Sequence, residues 1–276
     1  MKPRNPVLGL WLFSLLAIPI LPQDLDGQSL WDLPSYRKSV ALEISKPVMD
    51  YYDDLSALSS GIFLSVTWPL NESTRFSGEL PMAYAGRAEA QASETGLAVG
   101  NPYLGLDIGK EESDLFWRFG VRLPLAPEDT EAARMVGMMS DYISRWGTFW
   151  EDILTVAGTG TYRHRTEDGF LILAKGGVDV VIPTNGGGGD SDLFGVYGGQ
   201  AGYEDDTWSA TGGIMGRAFL SGSGGSIADR TIHEFGARIG YQAASVQPSL
   251  FLRIPLDEGV RDGTDFVIGL GLRAAL

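Results

Sequence analysis

From residue 38 onward, large apolar side chains recur at every second position. In "DLFWRFGVRLPLAPED" (114–129), Leu115, Trp117, Phe119, Val121 and Leu123 share one parity, and Arg118 and Arg122 share the other. Successive side chains of an extended strand point to opposite faces, so a stripe of this kind needs a sheet with a different environment on each side. Twelve segments carry the pattern: 38–46, 61–70, 75–84, 102–110, 114–124, 152–163, 168–182, 192–204, 207–220, 231–242, 246–255 and 264–276. Several run past ten residues, beyond the length of an ordinary soluble strand.

The connections sharpen the reading. In chain order they are long (47–60), short (71–74), long (85–101), short (111–113), long (125–151), short (164–167), medium (183–191), short (205–206), medium (221–230), short (243–245) and medium (256–263). Every second one is tight. Transmembrane barrels follow this rule, with short periplasmic turns, longer outer loops and an even strand count. Closure has a physical cause, because an open sheet edge in hydrocarbon would leave backbone N–H and C=O groups unpaired.

A barrel in lipid should also gather aromatic residues on the outward parity where lipid meets water. At the short-turn ends the sequence places Trp68, Phe76, Trp117, Tyr162, Phe170, Tyr203, Trp208 and Tyr241, and at the long-loop ends the thinner set Tyr84 and Phe266. The last strand repeats the scheme, with Phe266, Ile268, Leu270, Leu272 and Ala274 outward and Arg273 inward. The expected fold is therefore all-β: a closed antiparallel transmembrane barrel of twelve strands. The competing fold, a soluble sandwich or lipocalin-like barrel, would turn the same apolar parity inward around a dry core.

Composition narrows the function classes. There is no cysteine, which excludes a disulfide scaffold, a zinc–thiolate site and a lipid anchor on Cys. Two histidines, His164 and His233, leave little room for a histidine metal cluster, and no metal or cofactor is implied. A net charge of −14 argues against nucleic acid as a partner. The start, "MKPRNPVLGLWLFSLLAIPILPQ", has Lys2 and Arg4 ahead of an apolar run from Val7 to Leu21. It reads as a secretory signal over 1–28, cleaved between 22 and 29, followed by one barrel domain over 29–276. The run is short for a spanning helix.

At "GNPYLGLDIG" (100–109), "FGVRLPLAPED" (119–129) and "PSLFLRIPLDEG" (248–259) the chain resembles Gram-negative outer-membrane β-barrel proteins of an uncharacterised transporter type. The first motif also resembles the barrel family associated with phenol-degradation operons. These strand-and-turn signatures imply fold and an outer-membrane location, with outer-membrane lipids, lipopolysaccharide and the barrel-assembly machinery as partners. They imply no chemistry. One departure is Leu276, which stands where many such barrels end in an aromatic residue.

Parity assigns the lumen. Arg118, Arg122, Arg163, Lys175, Arg217, Arg238, Arg253 and Arg273 fall inward, as do Glu43, Glu79, Asp107, Asp179 and Glu234, eight basic positions against five acidic. The acidic excess lies in the connections, for example Asp53, Asp54, Glu128, Asp129, Asp257 and Glu258. A pore lined by arginine lowers the barrier for anions, so the expected function is a passive channel for small, anionic solutes. The alternative is a closed structural or adhesion barrel in which residues such as Arg238 pair with Asp179 or Glu234 across the lumen. In loop 125–151, Met135, Met138, Met139, Tyr142, Ile143 and Trp146 fall near helical spacing, as in a short amphipathic helix that caps or enters the mouth. Gly186–Gly189 lacks the Lys-Ser/Thr of a phosphate loop and reads as a loop tip. A hydrolase would need a nucleophile, base and orienter converging on one site. His233, preceded by Ser221, Ser223 and Ser226, is the one arrangement that approaches it. His164, among Arg163, Arg165 and Glu167, reads as a surface turn residue. The expectation is a non-enzyme.

Overall fold

A computed structural model of the chain describes residues 38–49, 56, 58–86, 96–110, 112–127, 131–185, 190–222, 226–242 and 245–276. The signal segment and the Gly186–Gly189 tip lie outside the described residues. The strands are β1 (Ser39–Val48), β2 (Ser60–Pro69), β3 (Thr74–Ala85), β4 (Gly96–Val99), β5 (Tyr103–Ile108), β6 (Leu115–Arg122), β7 (Ile153–Arg165), β8 (Phe170–Pro183), β9 (Asp192–Glu204), β10 (Trp208–Phe219), β11 (Thr231–Tyr241), β12 (Val246–Pro255) and β13 (Phe266–Ala275). Among the described residues two α-helices accompany them, α1 (Glu131–Ser140) and α2 (Glu258–Arg261), with a short 3-10 turn at Ala228–Arg230.

All neighbours are antiparallel, and the sheet closes where β1 pairs with both β13 and β2, starting from Ser39↔Ala275 and Ser39↔Thr67. β4 and β5 both pair with β3, through Met82↔Val99 and Glu79↔Tyr103. They are two halves of one stave, broken at Gly100–Pro102, so thirteen segments make a barrel of twelve staves. The break corrects one expectation: residues 96–99 are a strand and not part of a long loop. The short connections are tight. In the β9–β10 turn the Asp205 carboxylate accepts the N–H groups of Thr207 and Trp208, both at 2.7 Å, which holds its pKa below the ordinary value. In the β7–β8 turn Gly169 takes φ 85°, a left-handed conformation that favours glycine. β7 runs on to Arg165, so His164 is an outward strand residue, stacked on Tyr162, with its Nδ1 3.3 Å from an Asp114 oxygen.

The two faces are inverted relative to a soluble barrel. Trp68, Trp117 and Trp208 are 46, 47 and 49% exposed on the outer surface, alongside Phe119, Ile214, Ile239, Leu250, Ile268 and Leu270. The inner face buries Arg75, Glu79, Asp107, Arg122, Arg217, Glu234, Arg253 and Arg273. The apolar parity faces out on every long strand, which rules out the dry-core sandwich. Within the described residues no helix is long and apolar enough to cross a membrane.

After β6 the chain turns inward. Residues 123–127 and 131–152 include α1 and a run of turns that enter the lumen instead of capping the rim. Glu131, Ala132, Ala133, Arg134 and Met135 are good helix formers, with Glu131 in the first turn. Ala133 and Val136 bury against Met49, Ala85 and Ala98, and Met138 packs on Phe63, Ala83 and Phe149. The helix ends at Ser140, where the Asp141 carboxylate takes the Ser144 N–H at 2.9 Å and redirects the chain. Tyr142 and Ile143 then cross to the opposite wall and pack with Met215, Ile232 and Val260. The expected helix is present, but Tyr142, Ile143 and Trp146 belong to the turns after it.

Candidate functional site

The plug is held by charge. Arg145, 1% exposed, donates from Nη1 to Glu43 of β1 at 2.8 Å, from Nε to Glu79 of β3 at 2.8 Å, and from Nη1 to Asp141 at 3.0 Å. Arg122 of β6 reaches the other oxygen of Glu79 at 3.1 Å. Arg253 of β12 bridges Glu43 and Asp141, each at 3.0 Å. Three guanidiniums and three carboxylates thus form one set with no net charge, joining four staves to the plug. Burying such a set costs desolvation, repaid only while every member is paired. Ser140 adds a neutral anchor: its hydroxyl accepts the Gly61 N–H at 3.0 Å, donates to the Val136 carbonyl at 2.7 Å and lies 3.1 Å from the Ser45 carbonyl.

Asn101 fixes both stems of the plug. It sits in the break between β4 and β5 and is fully buried. Its Nδ2 donates to the carbonyls of Gly147 at 2.9 Å and Trp150 at 2.7 Å, and its Oδ1 accepts the N–H groups of Leu125 and Ala126, each at 2.7 Å. An Asn side chain can do no more than this. Its backbone N–H donates to Thr148 at 2.6 Å, and its carbonyl accepts from Arg122 Nη1 at 2.9 Å. One residue therefore ties the strand break, the descending stem, the ascending stem and the charge set together.

The other inward residues group around this centre. Arg118 grips Asp107 through two hydrogen bonds, at 2.5 and 2.9 Å. Arg217 pairs with Asp179 and donates from Nε to the Ile143 carbonyl at 2.9 Å, so it also holds the plug. Arg163 and Arg165 share Glu204 at the short-turn end. Arg238 donates to the Ser249 hydroxyl at 2.9 Å. Glu234 is fully buried and Lys175 half-buried on the inward parity. Of the two partners expected for Arg238, Asp179 is taken by Arg217. Residues that parity could not supply are Arg145, Asp141 and Asn101, which lie off the regular strands. Arg75 is inward and buried at the start of β3, and the alternation around Phe76 could have found it.

The outward aromatics form pairs across neighbouring strands. Trp68 faces Phe76, Phe170 faces Tyr203, and Trp208 faces Tyr241, the last with ring centroids 4.9 Å apart. Tyr162 lies opposite Leu115, next to the Trp117 stripe, and Lys38 Nζ sits 3.7 Å above the Trp68 ring. Phe76 and Tyr241 are half-buried by these contacts. At the other end Tyr84 is half-buried and Phe266 is at the outer surface.

Among the described residues the partners of the His233 ring are Tyr197 and Asp257, not a serine. Its Nε2 lies 2.7 Å from the Tyr197 hydroxyl and its Nδ1 3.4 Å from an Asp257 oxygen. Ser221 is engaged with Asp192 at 3.2 Å and Ser226 with Asp229. Ser223 lies outside the described residues. Among the described residues no three His, Asp or Glu side chains stand where they could hold a metal ion.

The closed antiparallel wall, apolar outside and charged inside, is the fold of Gram-negative outer-membrane β-barrels. Comparison with solved structures agrees. The outer membrane channel of the COG4313 type from Pseudomonas putida F1 superposes with a TM-score of 0.59 at 12% identity, over 92% of this chain and 100% of the other. LpxR from Salmonella typhimurium gives 0.50 at 14% identity, over 86% of this chain and 100% of the other. No family model and no curated protein matches the sequence.

Proposed function

We propose that this chain is a gated channel of the outer membrane, shut in the present conformation by the inserted segment that carries α1 and Arg145. The observation that carries this reading is the neutral set of Arg122, Arg145, Arg253, Glu43, Glu79 and Asp141, which locks an inserted loop inside a polar barrel. A wall that only had to be filled could use apolar side chains. An insert bound by charge can leave, because its partners are soluble once water replaces it. The similarity to a structure described as an outer membrane channel supports the same reading.

The solute class we infer is small and anionic. Inward positions of the strands carry ten basic residues (Arg75, Arg118, Arg122, Arg163, Arg165, Lys175, Arg217, Arg238, Arg253, Arg273) against seven acidic (Glu43, Glu79, Asp107, Asp179, Asp192, Glu204, Glu234), an excess of three positive charges on the wall, whereas the described plug residues add Arg134 and Arg145 against Glu131, Asp141, Glu151 and Asp152. The outer stripe would face acyl chains, the aromatic pairs the interface and the outer loops lipopolysaccharide, with assembly by the barrel-insertion machinery. Planar-bilayer recordings in a salt gradient test the reading: discrete conductance steps are expected, with a reversal potential displaced toward that of chloride. A reversal potential displaced toward the cation would overturn the anion preference. The satisfied charge set also fits a barrel that never conducts, and silence at all voltages, with or without the plug, would establish that reading instead.

A further inference from the structure

Toward the long-loop end of the wall, three polar side chains meet on a face that is otherwise apolar. Tyr197 of β9, Gly216 of β10 and His233 of β11 stand in one cross-strand row on the outward parity. Gly216 lets the row close. A Cβ there would come 2.5 Å from Tyr197 Cζ and 2.7 Å from its hydroxyl, so the Tyr197 ring crosses β10 over bare backbone and sets its oxygen 2.7 Å from His233 Nε2. From the other side comes Asp257, in the connection between β12 and β13. One of its carboxylate oxygens accepts the His233 backbone N–H, and the other lies 3.4 Å from the ring Nδ1. Asp257 stands at the N-cap of α2 but makes no side-chain cap to that helix; its carboxylate is turned to β11 instead.

The same connection reaches the plug. Tyr142 and Ile143 of the plug form one apolar cluster with Met215 of β10, Ile232 of β11 and Val260 of α2. Ile232 precedes His233 and so points the opposite way, into the lumen. One face of β11 therefore holds the connection through Asp257, and the other shares the seat of the plug with Val260 from that connection. Arg217 adds to the seat, donating from Nε to the Ile143 carbonyl at 2.9 Å. When Asp257 lets go of β11, α2 loses its mooring and Val260 its hold on Tyr142 and Ile143.

Few groups face the imidazole. β9 presents Tyr197, β10 the uncharged Gly216, and the end of β12 the Leu256 N–H, which donates to the His233 carbonyl at 3.0 Å. The connection presents Asp257, followed on α2 by Glu258 and Arg261, of opposite sign. In the turn ahead of β11, Asp229 is engaged with Ser226 and Arg230 with the Gly222 carbonyl. A carboxylate only accepts, so Nδ1 carries a hydrogen in either state of the ring. When the ring is neutral, Nε2 accepts from the Tyr197 hydroxyl; when it is charged, Nε2 donates to the same oxygen. Both forms fit, and what changes is the charge beside Asp257. Histidine is the side chain whose charge changes between mildly acidic and neutral pH. A positive ring gains from Asp257 only while the connection is docked, so proton binding and docking favour each other: acid tightens the contact and rising pH loosens it. We propose that His233 and Asp257 form a proton-dependent latch that fastens the connection between β12 and β13, and with it the plug, to the wall. The consequence for conduction rests on the gated-channel reading; the latch itself does not.

Two readouts test it on the full-length protein. The first is the rate at which a membrane-impermeant maleimide labels a single Val136→Cys, buried between α1 and the wall, at about pH 5 and about pH 8. Each rate in the His233→Gln background is divided by the rate with His233 intact at the same pH, which cancels the pH dependence of the thiol. A part-exposed ion pair shifts a population by about two- to fivefold, so this ratio should be about two- to fivefold larger at the lower pH. Asp257→Asn keeps the shape and removes the charge, and in that background the ratio should be the same at both pH values. His164→Gln, which alters the other histidine of the chain, should leave the ratio as it was. If His233→Gln does not fold, Asp257→Asn against the unaltered residue gives the same comparison. A ratio that does not change with pH in a folded variant overturns the latch, and so does a pH-dependent ratio that persists in Asp257→Asn. The second readout is planar-bilayer conductance, where openings should be rarer at the lower pH and His233→Gln should remove part of that difference. Silence at both pH values with the labelling pattern intact would discard the channel and keep the latch; conductance with a pH-independent labelling ratio would do the reverse.

Discussion

Replacing Arg145 with methionine removes the centre of the charge set while keeping an unbranched side chain of similar reach. Three carboxylates would then face two guanidiniums, Arg122 and Arg253, with Glu43, Glu79 and Asp141 each losing a partner at 2.8–3.0 Å. Leaving one buried charge uncompensated costs about 3–5 kcal/mol. The cost falls on the seated plug alone, because a withdrawn plug leaves Glu43 and Glu79 to water. At about 1.4 kcal/mol per tenfold, the population with the plug displaced should rise by two to three orders of magnitude. The chain has no cysteine, so a single Val136→Cys, at a position 1% exposed on the wall-facing side of the plug helix, reports displacement through its labelling rate with a bulky, membrane-impermeant maleimide. When reseating outpaces labelling, that rate follows the displaced population. The Arg145→Met background should label about a hundredfold faster or more, and adding Glu79→Gln should recover much of the difference by restoring charge balance. An unchanged rate in a correctly folded Arg145→Met barrel would refute the reasoning and make the ion pairs incidental to plug seating.

Three further outcomes follow from the same geometry. Asn101→Ala deletes four hydrogen bonds to the plug stems; at about 1 kcal/mol each, with buried groups left unpaired, it should loosen the plug by about 3–5 kcal/mol and raise Val136→Cys labelling comparably. Gly61→Ala would place a methyl 2.6 Å from Ser140 Cβ and Oγ, which should cost about 1–3 kcal/mol of seating and be relieved by Ser140→Gly in the same assay. Leu270→Arg, on the outer face at mid-strand, should destabilise the barrel by about 2–4 kcal/mol in guanidinium unfolding from lipid vesicles; no change there would argue that this face does not meet acyl chains.

The wall was legible because its information is local. Parity along Leu115–Leu123 or Phe266–Ala274 assigns each side chain to a solvent without knowledge of its neighbours, and tight turns then set the register. The interior was legible only in part. Arg118 and Asp107 face each other across a hairpin, within reach of parity reasoning. Arg145 meets Glu79 across 66 positions and Glu43 across 102, and nothing local marks an arginine in a loop as the keystone of a lumen. Asn101 stood inside a motif already singled out, yet its role depends on stems 24 to 49 residues away. β4 was missed because four residues, Gly96–Val99, are too few to show a period. The row of small inward residues Gly240, Ser249 and Gly271 shows only after β11, β12 and β13 are in register.

On the proposed reading an inserted loop, not a narrow wall, closes this barrel. Planar-bilayer conductance of the unaltered protein, set against a variant with residues 127–149 replaced by a short Gly/Ser linker, tests it most directly. Rare or small openings are expected from the former and a stable, larger, ohmic conductance from the latter. Equal conductance from the two, with both barrels folded, would contradict it.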